Sequence, residues 1–259
     1  LTVIVTDHHD IPFVIDENGN KSTLYVNADA VVNPKQEDCN YPFKNLCGAA
    51  IAYKLVERLY LMFNLQSDSA YPLLEYVAIA TICDVVDLID ENRIIVKNGL
   101  KLLNSTKNIG LKALIKEVGI EGKSIGVFHV GFIIGPSINA SGRLDSAIKA
   151  LQLLLSTDEE EAKIIAKELR ELNDERKRLT DDGIKKAVNI INTTDLKDDK
   201  ILVIYEPSIN ESVAGIIAGR IKEKYNKPTI ILTKGKEGVK GSGRSIEECN
   251  IFEELSKCK

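Results

Sequence analysis

Apolar residues recur along the chain in short blocks of two kinds, and their alternation sets the expected fold. Leu1 to Thr6 and Ala28 to Val32 are brief β-branched runs of strand type, the second closed by Asn33-Pro34. Between them, Asp16 to Asn20 reads as a polar turn. Leu46 to Phe63 has helical spacing. Ile51, Leu55, Leu59 and Phe63 share one face, and Gly48, Ala49, Ala50 and Ala52 keep the helix thin. Leu73 to Ile82 is apolar nearly all round, which predicts a buried helix running into Cys83-Asp84. Asn92 to Leu103 and Leu111 to Val118 predict two further amphipathic helices.

Thr157 to Asn192 predicts a long, highly charged helix, opened by a Thr157/Glu160 capping box and bent or broken at Gly183. Its narrow apolar stripe suits a helix that bridges two domains. A new unit begins near Lys200: a strand over Ile201 to Tyr205, a helix over Val213 to Tyr225, and a strand over Thr229 to Thr233. Ala214, Gly215, Ala218 and Gly219 are expected on the packing side of that helix. Strands alternating with helices predict an α/β layer structure. Its expected parts are a parallel-sheet domain over 1–155, a connecting helix over 156–193 and a smaller α/β domain over 194–259. The first strand has no turn or helix before it, so the pattern predicts residues upstream of Leu1.

Composition narrows the function classes. The 259 residues carry 34 basic and 38 acidic side chains, a net charge of −4, so a polyanion site must be local rather than a general basic coat. No apolar run is long enough for a membrane span, and the N-terminus lacks the basic and small-residue marks of a signal peptide. Five scattered cysteines without a C-x-x-C pair suit free thiols in a reducing cytoplasm, with Cys47 and Cys83 as small core residues.

Four constellations could carry chemistry. Asp7-His8-His9 follows the first strand, at the strand end where α/β sheets place ligands, and its mixed N/O donors suit manganese or zinc. Equally, it could be a polar strand end with surface histidines. Asp84 follows an apolar helix, where an ionised carboxylate needs a cation or donors, or it stands in a helix C-terminal turn that is already in water. Asn139 and Arg143 lie in Gly135 to Arg143, which reads as a rigid glycine-flanked loop able to present an amide and a guanidinium to phosphate, or, taken alone, as an ordinary loop with a surface Arg. Gly241-Ser242-Gly243-Arg244-Ser245 reads as a glycine-rich segment whose amides, hydroxyls and Arg244 could surround an anion, or as a plain turn. His129 reads as a satisfied core or loop histidine.

Together these residues resemble the DHH phosphoesterases, and more narrowly their RecJ-type single-strand-specific exonucleases. Thr6 to His9 is similar to the motif that names the superfamily. Val31 to Pro34, Tyr41 to Ala49 and Ala78 to Leu88 resemble later RecJ stretches. Gly135 to Leu144 resembles the P-x-I-N-A-x-G-R-L signature; Leu172-Asn173 with Arg176 sits on the expected connecting helix. Val213 to Arg220 and Gly241 to Ser245 resemble the DHH-associated domain.

The resemblance implies a parallel-sheet DHH catalytic domain, present in part, joined by the long helix to a DHH-associated domain. It implies a cytoplasmic, metal-dependent phosphodiesterase that degrades single-stranded DNA from 5′ to 3′ in repair and recombination. The implied cofactor is a divalent metal: manganese, with magnesium as the alternative. His8 and Asp84 would be ligands, Asp7 would orient the site, and His9 would contact phosphate or the ligand shell. Asn139, Arg143, Gly241, Ser242, Gly243, Arg244 and Ser245 would hold substrate. Single-stranded DNA is the implied partner, with a single-strand-binding protein and a helicase beside it. A phosphodiesterase for oligoribonucleotides or cyclic dinucleotides, or a non-catalytic nucleic-acid binder, are the alternatives; GSGRS in place of a GGGH-like string favours RecJ. The family's remaining metal aspartates would precede Leu1, so a chain limited to these residues is expected to have little nuclease activity. The usual His-x-Gly before Val213 reads Asn210-Glu211-Ser212.

Overall fold

A computed structural model of the chain describes residues 1–16, 20–24, 26–236 and 238–258. Backbone contacts group the chain into two compact units, Leu1–Pro136 and Ser137–Lys259.

In the first unit, β1 (Ile4–Thr6) pairs in parallel with β4 (Ala30–Val32), Ile4 opposite Ala30 and Thr6 opposite Val32. A hairpin of β2 (Phe13–Ile15) and β3 (Lys21–Thr23) lies between them in sequence. Residues 17–19 of the expected turn lie outside the described residues. β1 was expected to be buried, yet Val3 and Ile4 are 41% and 58% exposed. β4 is its one strand neighbour among the described residues.

The helices are α1 (Gly48–Met62), α2 (Leu74–Cys83), α3 (Asp90–Leu103), α4 (Ile109–Glu117), and the short α5 (Val127–His129). The core joins Leu46, Cys47, Ala50, Ile51 and Tyr53 to Leu74, Val77 and Ile95. On α1 the burial favours Ala50, Ile51 and Tyr53, whereas Leu59 and Phe63 of the expected stripe are exposed. α2 is buried as expected: Val77, Ala78, Ile79 and Ile82 are all under 9% exposed.

Two expected loops are regular structure. After α5 the chain makes a π-helical turn over Val130–Ile134 and continues as α6 (Gly135–Leu144), so the P-S-I-N-A-S-G-R segment is helical. Pro136 follows the π-helical turn directly, where the α-helical hydrogen-bond ladder is already shifted. Gly135 has a packing reason: a Cβ there would lie 2.2 Å from the Cys83 Sγ and 2.9 Å from the Val130 carbonyl. The glycine-rich GSGRS segment is mostly a strand, β7 (Gly238–Arg244).

The second unit also holds α7 (Ala147–Leu155) and the long α8 (Glu159–Thr193). The α8 cap is Asp158, whose side chain accepts from the Glu161 amide, rather than Thr157. The helix runs unbroken through Gly183. A Cβ at Gly183 would come 2.3 Å from the Ile217 Cδ1, so this glycine permits close helix packing and does not break the helix. A sheet of order β5-β6-β7 combines β5 (Leu202–Tyr205) parallel to β6 (Thr229–Gly235) with β7 antiparallel to β6. α9 (Glu211–Tyr225) packs on it, and Ile191, Leu202, Ile204, Ile217, Ile221 and Ile231 form the fully buried core. The chain ends in α10 (Ile251–Ser256). No described helix is long and apolar enough to cross a membrane.

Candidate metal centre and phosphate-binding surface

β1 ends at Thr6, and the Asp7 amide extends its ladder by donating to the Val32 carbonyl at 3.0 Å. The next two residues turn off the strand. One oxygen, Asp7 Oδ1, accepts from the His8 amide (2.8 Å), the His9 amide (3.3 Å) and pairs with His9 Nδ1 (2.7 Å). The His9 hydrogen bond is the main reason the Asp7 carboxyl is held below its ordinary value. Asn33 at the end of β4, itself buried, donates to the His9 carbonyl at 2.9 Å. Asp7 therefore fixes the turn, and His8 is left free to face elsewhere.

His8 faces Asp84, its Nδ1 lying 3.5 Å from Asp84 Oδ2. Asp84 caps the C-terminus of α2, with its amide donating to the Ala80 carbonyl. Its side chain is 37% exposed, which fits the reading of a helix-end carboxylate already in water. Gly48, at the start of α1, makes room for the imidazole: a Cβ there would stand 3.3 Å from His8 Cδ2. The donor set fits a divalent cation. Two donors at metal distances of about 2.1 Å sit roughly 3 Å apart around one ion, close to the observed spacing. The donor atoms of Asp7, His8 and His9 also lie within 4.8 Å of one another.

Cys83, next to Asp84, is a free thiol pushed up to about 11, first by burial and then by the Asp84 charge, which leaves it a packing residue. His129 accepts from the Gly126 amide at 3.2 Å and is satisfied locally.

In the second unit, Asn139 and Arg143 stand one turn apart on α6, both exposed. Arg143 Nη1 donates to the Ser212 carbonyl in the first turn of α9 (3.2 Å). Ser212 and Glu211 join Thr233, Lys240, Gly241 and Ser242 in lining a pocket of about 350 Å³. Asn210, where the family resemblance expects His, caps α9 by accepting from the amide and hydroxyl of Ser212 (2.9 and 2.8 Å). Arg244 is held by the Ser242 hydroxyl (3.2 Å) and the Gly243 carbonyl (2.7 Å). Gly215 lies beneath them: a Cβ there would be 2.7 Å from Arg244 Nη2 and 2.8 Å from Ser242 Oγ. This glycine serves the phosphate-binding candidates, while Gly219 has nothing within 4 Å and does not pack as expected. Ser245 Oγ accepts from the Ile251 amide, at the start of α10. Lys240 was not foreseen; its only sequence signal was its position beside Gly241.

Residues 198–259 match the DHHA1 domain family. The single-stranded-DNA-specific exonuclease RecJ of Bacillus subtilis strain 168 is 38% identical over 264 residues, covering 100% of this chain and 31% of the relative. Its Escherichia coli counterpart is 33% identical, covering 99% and 45%. The chain is thus similar, over its whole length, to part of the RecJ single-stranded-DNA-specific exonucleases. The crystal structure of RecJ in complex with Mn2+ from Thermus thermophilus superposes with a TM-score of 0.82 at 31% identity, over 100% of this chain and 36% of that one. A second structure, an exonuclease RecJ bound to manganese, gives 0.77 at 32% identity, over 98% and 60%. The chain spans just under a third and just under a half of the length of these two curated relatives.

Proposed function

We propose that this chain supplies part of the catalytic centre and the phosphate-binding domain of a metal-dependent exonuclease that degrades single-stranded DNA from 5′ to 3′. The observation that carries this reading is the approach of His8 to Asp84 at 3.5 Å, which joins the D-H-H turn to the C-terminus of α2. His8 and Asp84 would hold a divalent metal, manganese in the first instance. When bound, such an ion activates water and neutralises charge at phosphorus. Asp7 holds the D-H-H turn and the His9 ring in place, and His9, 77% exposed, is free to reach a phosphate oxygen. Asn139, Arg143, Ser242 and Arg244, with Gly241 and Gly243 leaving space, would hold the DNA backbone; Ser245 would act by fixing the strand end. A single-strand-binding protein and a helicase beside it are implied by the family resemblance, and the free cysteines suit a cytoplasmic setting.

The test uses the complete polypeptide encoded by the gene that contains this chain. Manganese-dependent digestion of single-stranded DNA, abolished by His8→Ala or Asp84→Asn, is the expected result. Intact single strands in the presence of manganese would overturn the reading, and a preference for cyclic dinucleotides would replace it. Arg143→Ala should slow turnover with little loss of stability, within about 0.5 kcal/mol, because its hydrogen bond lies at the surface.

A further inference from the structure

Asn92, in the first turn of α3, is fully buried and joins two distant loops through one atom. Its Nδ2 donates to the Asn45 carbonyl at 2.8 Å and to the Asp87 carbonyl at 2.9 Å. Both N–H bonds of the amide are thereby used, and two carbonyl acceptors fix which end of the amide is nitrogen. The other end, Oδ1, is buried and meets no donor among the described residues. An amide placed for stability alone would have both ends satisfied, because a buried unpaired oxygen is costly. The grip of Nδ2 on the two carbonyls is therefore the feature to explain.

Both carbonyls lead to the metal centre. Asn45 stands just before Gly48, which makes room for the His8 ring at the start of α1. Asp87 stands just after Asp84, in the loop between α2 and α3. That loop needs support from outside. Val85 and Asp90 both have positive φ, 60° and 41°, a region that residues other than glycine disfavour, and Asp87 lies between them. Thr81 Oγ1 and Cys47 Sγ meet at 3.4 Å, which ties the body of α2 to the start of α1. Asp84 lies beyond that tie, and Asn92 supplies a link from the loop after it to the α1 segment. Glu91, beside Asn92, is held by Lys54 at 2.6 Å and by Tyr41 at 2.7 Å, so the first turn of α3 is itself anchored on the α1 side.

We propose that Asn92 is a positioning residue for the metal centre. One amide nitrogen gripping the Asn45 and Asp87 carbonyls fixes the segment under His8 against the loop behind Asp84, and so sets the spacing of the two donors. Asn92 acts through the backbone and contributes no ligand atom. The inference rests on the reading of His8 and Asp84 as ligands of a divalent metal, proposed above; the amide clamp itself does not. With the clamp removed, both carbonyls lose their donor, the loop after Asp84 loosens, and a metal meets a less well ordered pair of ligands.

The test measures manganese binding by the complete polypeptide encoded by the gene that contains this chain, through the EPR signal of free manganese, with thermal melts in EDTA in parallel. Asn92→Leu keeps nearly the same volume and removes the donor. It should weaken manganese binding by about 10-fold or more, as expected when the support of a metal ligand is lost. Asn92→Ala, which leaves room for water at the two carbonyls, covers the case in which Asn92→Leu fails to fold, and should weaken binding in the same direction. Gly183→Ala, a core change in the other unit, is the destabilised control and should bind manganese as the wild type does. An Asn92 variant that lowers Tm yet binds manganese with wild-type affinity assigns Asn92 a purely structural role and overturns the proposal. An equal loss of affinity in Gly183→Ala also overturns it, since general destabilisation then explains the effect. If His8→Ala and Asp84→Asn leave manganese affinity unchanged, the metal reading itself fails, and the clamp has no ligands to position.

Discussion

The imidazole of His8 and the carboxylate of Asp84 meet at 3.5 Å, one delivered by a strand end and the other by a helix end. Both side chains are only partly buried, so the pair holds each other weakly and gains most from a shared cation. His8→Ala or Asp84→Asn should lower manganese affinity by more than about 100-fold, and Asp7→Asn, which frees the turn and the His9 ring, by about 10- to 100-fold. Isothermal titration of manganese into the chain checks both. Equal affinity in wild type and Asp84→Asn would remove Asp84 from the site.

Val85, directly after Asp84, has a positive φ of 60° and is 87% exposed. A β-branched residue there carries strain of about 1–2 kcal/mol, and strain of this kind tends to collect at functional sites. Val85→Gly should raise stability by roughly 1 kcal/mol, after allowing for the greater chain entropy of glycine. It should also loosen the Asp84 carboxylate and so weaken manganese binding. Urea melts and metal titration read the two effects separately; a stability gain with unchanged metal affinity would make the strain incidental to the site.

Much of this arrangement was legible in the chain because it is local. The apolar run before Asp84 had to be a buried helix, and the β-branched runs before Asp7 and Asn33 had to be strands. The failures share a cause. Gly135, Gly183 and Gly241 were read as places of loop, break or turn, since a glycine offers local freedom. Each glycine instead answers a distant neighbour: Cys83, Ile217, and for Gly241 the Leu232 side chain, 2.6 Å from where a Cβ would stand. A contact across sequence leaves no periodic trace.

Lys54 on α1 pairs with Glu91 on α3 at 2.6 Å, and Tyr41 donates to the same carboxylate at 2.7 Å. Burial alone would raise the Glu91 carboxyl, but the Lys54 and Tyr41 contacts outweigh it and hold it below the ordinary 4.5. A depressed carboxylate contributes stability that is present above its unfolded value and lost as pH falls through the folded one. Glu91→Gln should therefore cost about 1 kcal/mol near neutrality, a modest figure because water screens a partly exposed pair. The deficit should shrink as the pH drops below about 4.5. Thermal melts across that range decide it; a deficit independent of pH would mean that packing, and not charge, is lost.

Gly183 and Gly219 offer opposite outcomes for the same substitution on two helices packed in one unit. At Gly183 a methyl would collide with Ile217, 2.3 Å away, inside a core where Ile217 is fully buried. At Gly219 a methyl meets nothing within 4 Å. Gly183→Ala should destabilise the chain by about 1–3 kcal/mol through forced repacking. Gly219→Ala should stabilise it by about 0.5–1 kcal/mol through helix propensity. Denaturant unfolding of both variants checks the pair. A stabilising Gly183→Ala would show that α8 and α9 do not approach as closely as the Gly183–Ile217 contact requires, and Ile217→Val, by making room for the methyl, should recover part of the loss in the Gly183→Ala background.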